Sequence, residues 1–103
     1  MSKFSQFLPD VTYEMVGDAL DLLIPVARSD THQSRRVANF LLAWWDGSRL
    51  GHFPIVDVAA TDRELGEAMT IIQLFLAQNS MEYANLWGRR KDMEDIIDLW
   101  RDI

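Results

Sequence analysis

Apolar residues recur at helical spacing along most of the chain, and the pattern predicts four or five helices. Between about Val11 and Arg28, Val11, Met15, Ala19, Leu22 and Val26 form the centre of an apolar stripe, widened by Tyr13, Val16, Leu20, Leu23 and Ile24. Glu14, Asp18 and Asp21 fall on the opposite side, with Gly17, Pro25 and Arg28. Asp10 or Thr12 is placed to cap this first helix. Pro25 has no N–H to give the Asp21 carbonyl, so a kink or an early end is expected there, on the solvent side. Residues 1–9 read as an arm, with Phe4, Phe7 and Leu8 available to tuck it onto the body.

The second helix carries the widest stripe. Asp30 and Gln33 resemble a capping box at its start. In "SRRVANFLLAWWDG", Phe40, Trp44, Val37, Leu41, Trp45, Ala38 and Leu42 cover roughly 200° of the helical wheel at about 100° per residue. One neighbour cannot bury such an arc, so this helix is expected to be central, with Trp44 and Trp45 both in the core and Gly47 as the stop. Arg35 and Arg36 lie on the narrow polar strip.

Residues 47–60 are irregular, punctuated by Gly47, Gly51 and Pro54. A single helical turn over 55–60 fits better than a strand, which would have nothing to pair with. "TDRE" reads as a capping box with Thr61 as cap and Glu64 reaching back, opening a helix that runs to about Gln78, with Asn79 as a left-handed stop. Its apolar side holds Leu65, Ala68, Met69, Ile71, Ile72, Phe75 and Leu76. Gly66, Thr70 and Ala77 form a small-residue strip that another helix could approach. Leu74 falls off the apolar side, as an exposed contact or as a seat for the arm. Ser80 is a further cap, and Tyr83, Leu86 and Trp87 could anchor a short helix before Gly88. The last helix has Met93, Ile96, Ile97 and Trp100 on one stripe. Its N-terminus would carry Arg89, Arg90 and Lys91, and its C-terminus Asp98 and Asp102, each the wrong sign for the helix dipole. A helix continuous from about Met81 would remove the conflict by placing the basic group mid-helix. The alternative is a cluster kept for a partner.

The pattern therefore gives an all-α fold, a small single-domain bundle over residues 1–103 with the second helix central. A chain of 103 residues is long enough for one domain and not for two. With no cysteine, disulfides, zinc–thiolate sites and thiol catalysis are excluded. No apolar run reaches the roughly 18 residues that a membrane helix needs. "MSKFSQFLPD" lacks the apolar segment of a secretory signal, so a cytoplasmic protein is expected. The net charge of −6 disfavours nonspecific attraction to nucleic acid or anionic lipid.

Candidate chemistry is sparse. Glu14, Asp18 and Asp21 share a helix face, which is the pattern of a solvated surface before it is that of a cation site. His32 and His52 could do acid–base work beside Asp46 or Asp57, but only if the fold brings them together. No nucleophile, oxyanion or phosphate-loop signature accompanies them. No enzyme activity, cofactor or metal is expected. Arg35, Arg36, Arg89, Arg90 and Lys91 could form a basic patch for a phosphate or an acidic partner, against the alternative of salt bridges to nearby acidic helices. Four tryptophans in so short a chain suggest some exposed aromatic surface. Trp87, Leu86, Leu74 and Trp45 are the partner-binding candidates, and a homodimer is the simplest partner.

Ser34 to Ala38 and Phe40 to Trp45, read with the Trp100–Arg101 pair, resemble the signature of a family of short bacterial proteins carried on plasmids, prophages and integrative elements. The resemblance covers roughly residues 30–101 and departs at Asp46 and in "HFPIVDVAATD". It implies a bacterial protein of mobile DNA and no particular activity. The expected role is a non-enzymatic protein-interaction module. The alternative is an acidic inhibitor that mimics nucleic acid toward a host protein through Glu14, Asp18, Asp21 and the acidic residues from Asp92 to Asp102.

Overall fold

The computed structural model describes residues 2–79 and 84–101, with the Leu86 side chain excepted. Among them are five helices: α1 Tyr13–Ala27, α2 His32–Trp45, α3 Gly47–Leu50, α4 Arg63–Gln78 and α5 Arg90–Trp100. Three 3₁₀ turns, Lys3–Gln6, Ile55–Ala60 and Ala84–Trp87, fill the connections, and no strand occurs among the described residues. The all-α expectation and the turn at 55–60 are both met.

α1 lies between α4 and α2, and α2 packs in addition on α3, α5 and the last two 3₁₀ turns. The broad apolar arc of α2 explains its many neighbours: Val37, Ala38, Leu41 and Leu42 are wholly buried, and Trp44 and Trp45 pack half-buried against the core. The buried line of α1 runs through Val16, Leu20, Leu23 and Ala27. It sits to one side of the expected centre, because α1 is covered by two helices and not one.

Thr12 caps α1, its hydroxyl accepting from the Met15 amide at 3.2 Å, while the Met15 thioether accepts from the Thr12 amide at 3.4 Å. Sulfur here takes the place of the usual Glu or Gln oxygen of a capping box. Pro25 is exposed, and α1 ends two residues beyond it.

Several local expectations give way to competing partners. Thr31, not Asp30, caps α2, accepting from the Ser34 amide at 3.0 Å. Gln33 is drawn away to Asp62, bonding both its carboxylate and its backbone amide. The Thr61–Glu64 box does not form. The Thr61 hydroxyl donates to the Val58 carbonyl at 2.8 Å, and Asp62, its amide held by Gln33, becomes the cap position of α4. Gly66 receives the side chain of Val58 instead of another helix, while Thr70 and Ala77 of the same strip are exposed. Gly47 does not end α2 in a left-handed turn. It starts α3, and Gly51 is the demanding glycine, since a Cβ there would lie 2.7 Å from the Gly47 carbonyl oxygen. Asn79 stays extended and stops α4 through its side chain, which donates to the Phe75 carbonyl at 2.9 Å.

The continuous last helix is also overturned. Gly88 is left-handed at φ 69°, which no helix tolerates, and α5 begins at Arg90. The expected cap Ser80, the anchor Tyr83 and the terminal Asp102 lie outside the described residues.

The C-terminal Trp–Arg pair fastens α5 to both ends of the bundle. The Trp100 indole N–H donates to the Ala27 carbonyl at 2.6 Å. The Arg101 guanidinium donates to the Leu50 carbonyl at 3.1 and 3.0 Å and to Asn39 Oδ1 at 2.8 Å. Arg101 is held below the usual arginine range, first by burial and then by the nearby Arg35 charge. No helix among the described residues is long and apolar enough to cross a membrane.

Candidate functional site

Trp87 belongs to the core. It is 7% exposed, and its indole N–H donates to the Tyr13 carbonyl at 3.0 Å. Its ring stacks on Tyr13 at 5.0 Å and meets Trp44 and Phe75 edge-on at 5.3 and 5.4 Å. It packs over Gly17 of α1, where a Cβ would stand 4.0 Å from its Cδ1, an ordinary contact. Leu74 is half-buried and shares a cleft with Phe4 and Leu8 of the arm, so it serves as the arm's seat. Trp45 is half-buried, with the Arg90 guanidinium 5.6 Å from its ring centre. The Leu86 side chain lies outside the described residues.

Of the large apolar side chains among the described residues, Ile55 and Val56 are the most open, at 82% and 72% exposed; Phe7 and Leu99 follow at 66% and 57%. Ile55 and Val56 follow Pro54 at the start of the Ile55–Ala60 turn, and Ile55 stands on the rim of a groove of about 620 Å³ between α2, α4 and this connection. Phe40, Trp44, Phe53 and Leu76 line the groove, and Phe53 meets Phe40 edge-on at 5.3 Å. The sequence carried a signal for this edge that periodicity does not read. "FPIVDVAA" holds more aliphatic positions than a short 3₁₀ turn can bury, and when Phe53 and Val58 turn inward, Ile55 and Val56 are left outside.

The basic residues divide into two groups. Arg89 reaches Asp21 at 2.9 Å, Arg90 reaches Glu94 at 4.0 Å and Lys91 reaches Asp95 at 2.7 Å. Arg28, at the end of α1, bonds both Asp92 and Asp95, at 2.7 and 2.6 Å. The Lys91 hydrogen bond is the main cause that holds the Asp95 carboxyl below its usual range, and the same bond raises Lys91. The basic start of α5 is thus matched by carboxylates on its next turn and on α1. Arg35 and Arg36 form no ion pair among the described residues.

Arg35 and Arg36 instead line a cleft of about 280 Å³ between the first half of α2 and the 51–57 connection. His32, Asn39, His52, Pro54 and Asp57 complete its walls. Both histidines, 20 positions apart in the sequence, therefore meet in one place, beside Asp57 and not Asp46. Neither bonds the Asp57 carboxylate, so the base–orienter contact that acid–base catalysis uses is not formed. Among the described residues, no group of three histidine or carboxylate side chains is placed to hold a metal ion. His52 also lines the apolar groove, so cleft and groove flank the same connection.

No curated protein and no solved structure matches this chain. A protein-family model does, over residues 17–101, a span that takes in both α2 and the Trp100–Arg101 fastening. The chain belongs to the family of unknown function DUF7673.

Proposed function

We propose that this chain is a non-enzymatic protein-interaction module that associates with a second copy of itself through the Ile55–Val56 edge. One observation carries the reading: two adjacent β-branched side chains stand almost wholly in water beside an open apolar groove. Burying either side chain is worth roughly 1.5–3 kcal/mol, enough to favour association when a complementary surface is offered. The groove is such a surface, and in a two-fold dimer the edge of each copy can enter the groove of the other. Trp87 is withdrawn from the contact that composition suggested, because α1 and α4 cover it. The acidic-mimic reading draws less support. Asp21, Asp92, Glu94 and Asp95 are partly neutralised by basic residues of the same chain. On the strength of the Ser34–Trp45 signature, the module is taken as a cytoplasmic bacterial protein carried on mobile DNA.

Replacing Ile55 with Asp tests the reading. The substitution puts a charge at a fully open position, so the fold should be unaffected within about 0.5 kcal/mol, while self-association is lost. Association that survives Ile55→Asp and Val56→Ser together would remove this edge from the interface.

A further inference from the structure

The cleft beside that edge has a chemistry of its own. The protein has 10 basic and 16 acidic residues, so carboxylates are in excess. Arg28, Arg49, Arg63, Arg89, Arg90 and Lys91 each reach one. Arg35, Arg36 and Arg101 do not, among the described residues, and neither does Lys3, which lies over the Phe4 ring in the arm; the three arginines are neighbours. Arg101 bonds Asn39, one turn along α2 from the other two, and the Arg35 charge is felt at Arg101. An acidic chain that gathers its unpaired arginines at one place holds them against their mutual repulsion. The helix dipole does not explain the placement either. Arg35 and Arg36 fall in the positive half of α2, whose first turn has no acidic residue.

The cleft is also rich in donors. Asn39, which lines the cleft, accepts from Arg101 through Oδ1, which leaves its Nδ2 as a donor. With Arg35, Arg36, His32 and His52, this gives a wall of N–H groups from two separate elements. Asp57 is the one carboxylate in the lining. A planar carboxylate ligand can accept from only part of such a set. A tetrahedral oxyanion presents oxygens in several directions, and arginine pairs bind it with bidentate, charge-assisted bonds.

We propose that the cleft formed by His32, Arg35, Arg36, Asn39 and His52 binds a phosphate group, as a free anion or as the monoester of a small molecule or a peptide side chain. The cleft adjoins the Ile55–Val56 contact and shares His52 with its groove, but its two arginines and Asn39 lie outside that groove.

The test is a titration of the full chain with inorganic phosphate at constant ionic strength, followed by the amide and imidazole resonances of His32, His52 and Asn39 in two-dimensional NMR. Saturable shifts confined to these residues and the neighbouring arginines are expected. Chloride at the same ionic strength should give none. Removing one arginine as Arg36→Gln should weaken binding about tenfold, the scale of one charge-assisted bond. Arg63→Gln, at an exposed pair outside the cleft, should leave it unchanged. Phosphoserine and a nucleoside monophosphate distinguish the sources: whichever binds more tightly than inorganic phosphate names the carrier, and equal binding by all three identifies the free anion. Shifts spread over all basic residues, equal shifts with chloride, or unaltered binding in Arg36→Gln would each overturn the proposal. Thermal melting of Arg36→Gln without phosphate checks the fold. Val56→Ser, which adds no charge beside the cleft, should bind phosphate like the parent chain, which keeps this outcome apart from that of self-association.

Discussion

Two connections of this protein carry the same kinds of side chain and put them to opposite uses. The segment leading into α5 brings Trp87 with Arg89, Arg90 and Lys91. The segment after α3 brings Ile55 and Val56, and it faces Arg35 and Arg36 across the small cleft. In the first, the indole is buried and bonded to the Tyr13 carbonyl, and each cation meets a carboxylate, with Arg89 Nε alone left buried without a partner among the described residues. In the second, the aliphatic pair stands in water and the arginines meet no carboxylate among the described residues. The difference shows that a conspicuous residue type is weak evidence of function by itself. The informative residues are those the fold could have satisfied internally and did not.

The largest expected effect lies in the first connection. Trp87→Ala removes a buried indole, its hydrogen bond to Tyr13 and three ring contacts, and should cost about 3–5 kcal/mol in urea denaturation. A loss below about 0.5 kcal/mol, accompanied by lost self-association, would return Trp87 to the surface and break the comparison. Arg89→Ala should cost less, about 0.5–1 kcal/mol, because its partner Asp21 is largely exposed and screened by water. Arg35→Ala in the other connection should leave stability unchanged or slightly raised, by relieving repulsion with Arg101. A loss equal to that of Arg89→Ala would mean that the two clusters do the same work.

The smallest effect is one of pH. The Lys91 hydrogen bond, opposed by desolvation and assisted by the Lys91 and Arg28 charges, holds the Asp95 carboxyl below its ordinary value of 3.8. A lowered folded-state value contributes stability above the unfolded value and loses it as pH falls through the folded one. Acid unfolding below about pH 4 should therefore be shallower in Asp95→Asn than in the parent chain. Identical acid limbs would show that this exposed network contributes nothing measurable.

Much of the fold was legible from spacing alone. The wide arc of α2 demanded several neighbours and has them, while Pro25 stands on the solvent side of α1 without ending it, the helix running on to Ala27. What periodicity could not show was competition between partners. Thr61 had a textually complete capping box, yet its hydroxyl found the Val58 carbonyl first, and Gln33, 29 residues away, supplied the bond to Asp62. Trp87 looked exposed because no local stripe claimed it, and its contacts with Tyr13, Trp44 and Phe75 exist only once the Ala84–Trp87 turn is docked on α1, α2 and α4. The cleft was unreadable for the same reason. His32 and His52 belong to different elements, and only the return of the chain after α3 brings them together. Each residue was visible as a candidate; their meeting is a property of topology.

The most direct measurement is the molar mass of the protein in solution, by light scattering from micromolar to millimolar concentration, for the parent chain and for Ile55→Asp. The account predicts that the parent mass rises with concentration toward twice the 11.9 kDa of one chain, while Ile55→Asp stays at the monomer value throughout. A parent chain that remains monomeric over the whole range would contradict self-association through the Ile55–Val56 edge.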